Sequence, residues 1–182
     1  ICGEPFTYCA GFALRPQAEA CESRWLRRVY ALVKKAGAEQ SVTYSPHGMD
    51  PARLSLFSDI SDLYAIHPSC MDLSLSQASQ SAYLRALDGL CDMAEKENKP
   101  LVSTETCWGA LDDEQRARMV RFTLQAHKAR GIGFFAHALN YSLCPDLHDP
   151  QDGPVGVPGN LAFIRKDGTL RPGHACFNDF CA

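Results

Sequence analysis

Two glutamates stand where this chain would expose a carboxylate to a reacting bond. Glu105 lies near the end of the stretch Lys99-Pro100-Leu101-Val102-Ser103-Thr104-Glu105-Thr106. There the apolar pair Leu101-Val102 and the β-branched Thr104 and Thr106 favour extended structure. Trp108-Gly109 then turns the chain, and Leu111-Asp112-Asp113-Glu114 opens a helix whose first-turn acids suit its dipole. An acid at the carboxyl end of a strand that feeds a helix sits where α/β barrels keep catalytic groups, although an ordinary loop acid would share the position. Glu4 repeats the arrangement. Ile1-Cys2-Gly3-Glu4-Pro5-Phe6 reads as a strand end, with Pro5 excluding helix at Glu4. Carboxylates so placed can serve as acid, base or nucleophile.

Histidines mark the other strand ends. His67 precedes Pro68, and His137 interrupts an otherwise apolar strand, where a polar ring needs a hydrogen-bond partner. Both are taken as site residues, with Trp108 and Tyr141 as stacking platforms, whereas His47 reads as a satisfied strand-end histidine. Cys144, Asp146 and His148, with His137 nearby, could be assembled around zinc. Their spacing matches no established zinc pattern, so no metal and no other cofactor is expected.

The elements that must position these residues alternate. The spacing predicts a helix from about Pro16 to Gly37 with Trp25, Val29, Leu32 and Val33 as its apolar stripe and Arg24, Arg27, Arg28, Lys34 and Lys35 as its solvated face. A strand Ser41–Ser45 follows, then a short helix Pro51–Phe57 and a strand Leu63–Ile66. A helix from Ser76 to about Glu97 carries Leu84, Leu87, Cys91 and Ala94 on one side. After the strand bearing Glu105, a helix from Asp113 to Arg130 places Ala117, Val120, Leu124 and His127 in phase. Ile132–Leu139 reads as a strand buried on both faces, as in a parallel sheet. Residues 140–160, rich in Pro, Gly and Asp, form a long loop. Leu161–Ile164 and Thr169-Leu170 can pair across Lys166-Asp167-Gly168, and a last helix begins near Pro172 with Ala175, Phe177 and Phe180. Strand alternating with helix argues for a parallel α/β architecture. The absence of a Gly-rich phosphate loop after any strand disfavours the doubly wound alternative.

The chain's 182 residues suit one domain with a real core. A formal charge of -3 without a basic cluster gives no surface for nucleic acid or an anionic membrane, so neither partner is expected. No apolar run reaches membrane-spanning length. The 9 cysteines show no C-x-x-C pair. Cys2 and Cys107 each lie two residues from one of the two glutamates, and thiols so placed favour a reducing, cytoplasmic setting.

Gly3-Glu4-Pro5 at one strand end, Thr104-Glu105-Thr106-Cys107-Trp108-Gly109 three strands later, and the ending Gly168-Thr169-Leu170-Arg171-Pro172-Gly173-His174 together carry a resemblance. The chain resembles the C-terminal half of a retaining glycoside hydrolase barrel of the cellulase-like clan best known through family 5. That resemblance implies an α/β fold, the C-terminal half of a (β/α)8 TIM barrel with about strands 4 to 8 and their helices, with residues 1–182 forming part of a single catalytic domain. Ile1 would then begin inside the fourth strand. The resemblance further implies hydrolysis of a β-linked glycan or glycoside by double displacement, Glu4 protonating the leaving oxygen and Glu105 attacking the anomeric carbon. Two carboxyls about 5–5.5 Å apart give this retaining outcome. An open half-barrel leaves strand edges unpaired and its inner face wet, so the N-terminal half must come from a parent chain or a partner.

Three positions depart from the family pattern. Gly3 replaces an asparagine, His67-Pro68-Ser69 replaces a His-x-Tyr motif, and His137 stands where a tryptophan usually forms the sugar platform. They leave a catalytically degenerate carbohydrate-binding barrel as the alternative, and a barrel lyase or isomerase with one glutamate base as a third reading.

Overall fold

The computed structural model describes residues 15–46, 48–70, 72, 74–106, 113–136, 163–164, 168–171, 173 and 175–181. In chain order its elements are α1 (Arg15–Lys35), α2 (Pro51–Leu56), β1 (Tyr64–Ile66), α3 (Gln77–Lys96), β2 (Leu101–Thr106), α4 (Asp113–Lys128), β3 (Gly133–Ala136) and α5 (Ala175–Cys181). The chain divides into two compact units, one of residues 1–67 and 87–104, the other of residues 68–86 and 105–182.

In the first unit β1 pairs in parallel with β2, Tyr64 opposite Leu101, Ala65 opposite Val102 and Ile66 opposite Ser103. All three residues of β1 are fully buried. A parallel pair needs a crossover of a dozen or more residues, and α3 supplies it. Where the sequence predicts a strand over Ser41–Ser45, residues 41–44 form no strand ladder among the described residues and Ser45 alone makes a bridge. One backbone bond and two side-chain bonds supply the ties instead. The Asp62 carboxylate accepts from the Val42 amide at 2.7 Å, the Asp62 amide donates to the Val42 carbonyl, and the Thr43 hydroxyl donates to the Leu63 carbonyl.

Helix α1 starts where Pro16 predicts, and Gly37, at φ +83°, turns the chain just beyond it. Its inward stripe is one residue out of phase with the expected one. Leu26 packs with Tyr44, Phe57 and Ile60, with Tyr30 against them, whereas Trp25 and Leu32 are 49% and 57% exposed. Arg27 and Lys34, expected to be solvated, are tied down as well. Arg27 holds Asp59 at 3.0 Å and the Leu56 carbonyl at 3.1 Å, and Lys34 reaches Asp62 at 2.5 Å. The short α2 is capped by the Asp50 carboxylate, which accepts from the Ala52 amide. A 3-10 turn, Ser58–Ile60, follows it and was not legible in the sequence. Lys99 closes that turn by donating to the carbonyls of Ser58 and Ser61.

The buried stripe of α3 is also displaced by one residue in part. Leu87 and Ala94 are buried as expected, but Tyr83 and Leu90 take the places assigned to Leu84 and Cys91.

In the second unit Val120 and Leu124 of α4 form a core with Phe163 and Cys176, against which Ala117, Phe134, Ala136 and Phe177 pack. Val120, Leu124 and His127 are buried in the phase the sequence predicts. The burial extends further round the helix, to Arg116, Met119 and Thr123, so α4 is enclosed on more than one side. The tail turns as expected, through an antiparallel bridge between Ile164 and Leu170 with Gly168 at φ +84°, before α5. Strand β3 corrects an expectation. Phe134 and Ala136 face the core, but Phe135 on the other side is 66% exposed, so this strand is covered on one face only. Phe134 and Phe135 are therefore not both core residues.

Candidate active site

Three polar side chains converge at the carboxyl ends of the extended segments of the first unit. Tyr64 turns toward α3, where its hydroxyl donates to the Glu97 carboxylate. Burial and that bond push the Tyr64 hydroxyl up to about 12. Alternation therefore carries Ala65 and His67 to the opposite face of the sheet. On that face the Oγ of Ser45 lies 2.6 Å from His67 Nε2 and 2.6 Å from the hydroxyl of Thr104. The β1–β2 register, extended by one residue, sets His67 beside Thr104. The His67 amide donates to the Gly48 carbonyl at 3.1 Å, fixing the backbone at the strand end. The result is a chain of imidazole, hydroxyl and hydroxyl. Each hydroxyl can donate one bond and accept others, which suits recognition of hydroxylated ligands.

Elsewhere in this unit Asp62 ties Val42 to Lys34 and Tyr30 of α1. Burial pulls its carboxyl up, but bonds from Lys34, the Val42 amide and Tyr30 outweigh that and hold it below the ordinary range. Tyr30 is raised in turn, chiefly by its bond to Asp62, and remains a neutral donor.

In the second unit Glu105 is half-buried and next to last in β2. The strand end is held by Thr106, whose buried hydroxyl donates to the Pro68 carbonyl at 2.8 Å. Beyond it α4 opens on Asp113, which is bound by Arg171 at 2.8 Å. The Asp72 carboxylate nearby in sequence receives the hydroxyls of Ser74, Ser76 and Ser79, each at 2.6 Å. Those bonds hold it well below the usual carboxylate range.

Of the residues singled out from the sequence, His67 and Glu105 are thus placed at strand ends. Glu4, Trp108, His137 and Tyr141 lie outside the described residues, as do His47, Cys144, Asp146 and His148. Among the described residues no group of three or more His, Cys, Asp or Glu side chains could hold a metal ion. Sequence reasoning passed over Ser45 and Thr104. Ser45 carried a usable signal, because it stands before Pro46 as His67 stands before Pro68.

The fold is α/β with a parallel sheet, and its structural neighbours are (β/α)8 barrels of the glycoside hydrolase class. Three of them illustrate the range. A Lactobacillus rhamnosus β-glucuronidase superposes with a TM-score of 0.67 at 13% identity, over 98% of this chain and 31% of that one. A fungal β-1,4-galactanase gives 0.60 at 10% identity, over 97% of this chain and 60% of that one. A Rhizomucor miehei glycoside hydrolase family 17 β-1,3-glucanosyltransferase gives 0.54 at 13% identity, over 83% and 55%. The chain therefore spans about a third of the length of the glucuronidase it matches. These likenesses carry the barrel fold and do not single out family 5. No family model matches this chain, and no curated protein does. Among the described residues no helix is long and apolar enough to cross a membrane.

Proposed function

We propose that residues 1–182 correspond to the C-terminal portion of a (β/α)8 catalytic domain that hydrolyses a β-linked glycan with retention. Glu105 is the nucleophile and Glu4 the acid/base. In this reading Glu4 protonates the glycosidic oxygen as Glu105 attacks the anomeric carbon, giving a covalent glycosyl-enzyme. Water, deprotonated by Glu4, then releases the sugar. His67, Trp108, His137 and Tyr141 bind the substrate. The observation that carries the proposal is the placement of Glu105 at the carboxyl end of a parallel strand that feeds a helix, within a fold shared with glycoside hydrolase barrels.

The test is covalent trapping. A 2-deoxy-2-fluoro glycoside should label the peptide containing Glu105, and Glu105→Gln should lower turnover at least about 1,000-fold while leaving the unfolding midpoint unchanged. Label on any other residue sinks the assignment. Gly3 in place of the family's asparagine favours a second reading, a barrel that binds glycans without turnover, for which the same experiment gives binding and no label.

The reading also calls for strand-helix units from a parent chain or partner to complete the barrel. Two surfaces favour that. The exposed face of β3 carries Phe135, and the outer face of α1 carries Trp25 and Leu32. Parallel strands are ordinarily covered on both faces. The thiols of Cys21, Cys70 and Cys176 are free, in keeping with a reducing, cytoplasmic location.

A further inference from the structure

The polar clusters of the first unit differ in how much bonding capacity they leave over. The Asp62 carboxylate is engaged by Lys34, Tyr30 and the Val42 amide, Glu97 receives the Tyr64 hydroxyl, and Lys99 donates to the carbonyls of Ser58 and Ser61. Those clusters tie one element to another. The group formed by Ser45, His67 and Thr104, all within this unit, is different. A hydroxyl offers one proton and two lone pairs. Among the described residues Ser45 Oγ meets His67 Nε2 and the Thr104 hydroxyl, each at 2.6 Å, and the Thr104 hydroxyl meets Ser45 alone. One bonding position of Ser45 and two of Thr104 therefore remain. The three residues are each partly exposed. The β1–β2 register sets His67 and Thr104 two residues beyond Ala65 and Val102 on the same face, so a polar rim stands above an apolar pair.

We propose that Ser45 and Thr104 are specificity-determining residues that, together with His67, bind one hydroxyl of the sugar substrate. The proposal rests on the reading above in which His67 touches substrate, and it adds two residues to that contact. The direction of the hydrogen bonds selects the ligand group. Run from Thr104 through Ser45 to His67, the chain leaves only lone pairs over on its two oxygens. Run the other way, it leaves the Thr104 proton as well. A ligand hydroxyl both donates and accepts, so it meets either state. Ser45 is bonded to both neighbours, and it couples the bond made by His67 to the bond made by Thr104.

The experiment removes the hydroxyl from each side in turn. On the protein at its full natural length, 4-nitrophenyl β-D-glucoside, β-D-galactoside and β-D-mannoside are compared with their monodeoxy counterparts. Kd is read by NMR titration, and kcat/KM where nitrophenol is released. The proteins are wild type, His67→Ala, Ser45→Ala, Thr104→Val and Thr104→Ser. In wild type, removal of one particular sugar hydroxyl should weaken binding about 5–10-fold, as expected for a lost neutral hydrogen bond. Ser45→Ala and Thr104→Val should weaken the parent glycoside about 5-fold and leave the affinity for that deoxy glycoside unchanged. Thr104→Ser, which keeps the hydroxyl, should match wild type. Equal weakening of parent and deoxy glycosides marks a purely structural role and overturns the proposal. So does wild-type binding in Ser45→Ala and Thr104→Val where His67→Ala binds weakly, a result that leaves the substrate role of His67 standing. If His67→Ala also binds as wild type does, that role falls and the proposal falls with it. If wild type binds none of the glycosides, the glycosidase reading and the proposal fall together.

Discussion

Replacing Asp62 tests how the first unit holds its strand ends. The carboxylate accepts from three donors, Lys34 Nζ at 2.5 Å and the Val42 amide at 2.7 Å on Oδ2, and the Tyr30 hydroxyl at 2.8 Å on Oδ1. The side chains of Lys34 and Asp62 are 33% and 27% exposed, so their ion pair contributes no more than about 1 kcal/mol after screening. The Val42 amide matters more. Its residue is 7% exposed, and a buried donor left unpaired costs about 1–3 kcal/mol. Adding the Tyr30 bond, Asp62→Ala should lower stability by about 3 kcal/mol. Asp62→Asn should cost about 1 kcal/mol, because its oxygen can keep the Val42 bond while its amide donates to Tyr30. Because the folded carboxyl lies below its unfolded value of 3.8, its stabilisation is present above that pH and is lost as the pH falls through the folded value. Urea unfolding near neutral pH and again in acid, on wild type and both variants, reads all of this. The gap between wild type and Asp62→Ala should shrink in acid. A loss below about 0.5 kcal/mol in Asp62→Ala, or equal losses in the two variants, would refute the view that acceptor geometry at Val42 dominates.

Three further outcomes follow from the same structure. Leu124→Ala removes a fully buried side chain from the core of the second unit and should cost about 2–5 kcal/mol in denaturant unfolding. His127 is fully buried, its Nδ1 donates to the Thr123 carbonyl at 2.7 Å, and its Nε2 has no hydrogen-bond partner among the described residues. Burial holds its pKa below 6.5, so its neutral form stabilises the fold above that value and the contribution is lost as the pH falls. His127→Leu should flatten the decline in thermal midpoint from about pH 7 to pH 5, and an unchanged decline would locate the titration elsewhere. Ser45→Ala breaks two bonds of 2.6 Å and should cost about 1–2 kcal/mol. It should also remove the partner of His67 Nε2 at that hydroxyl, which the nitrogen-15 shift of Nε2 would register.

The alternation of strands and helices was legible because each element carries its own punctuation. Pro16, Pro51 and Pro68 mark starts and stops, and Gly37 ends a helix by taking a positive φ. The phase of a stripe was harder to read. In α3, Tyr83 and Leu90 compete with Leu84 and Cys91 for the inward position, and both sets have helical spacing. In α1 the larger side chains Trp25 and Leu32 drew the expectation, although the surroundings of Leu26 decide which stripe is covered. The strand expected over Ser41–Ser45 is reduced to a bridge at Ser45, because residues 42 and 43 are tied to Asp62 and Leu63 by one backbone bond and two side-chain bonds rather than by a ladder. At the site, a glutamate before a turn stands out in a sequence, and so does a histidine before a proline. The partnership of Ser45 with Thr104 spans 59 residues and involves two common hydroxyl residues. Only the folded register brings them together.

The burial of β1 has a consequence for amide exchange. Tyr64, Ala65 and Ile66 are each fully buried and paired to β2, with the Tyr64 amide donating to the Pro100 carbonyl at 2.7 Å. Deuterium reaches such amides only when the unit opens as a whole. The exchange rate of the Tyr64 amide is therefore a clock for global opening, running beside His67. Any ligand that seats on His67 without opening the unit should slow that clock in proportion to its occupancy.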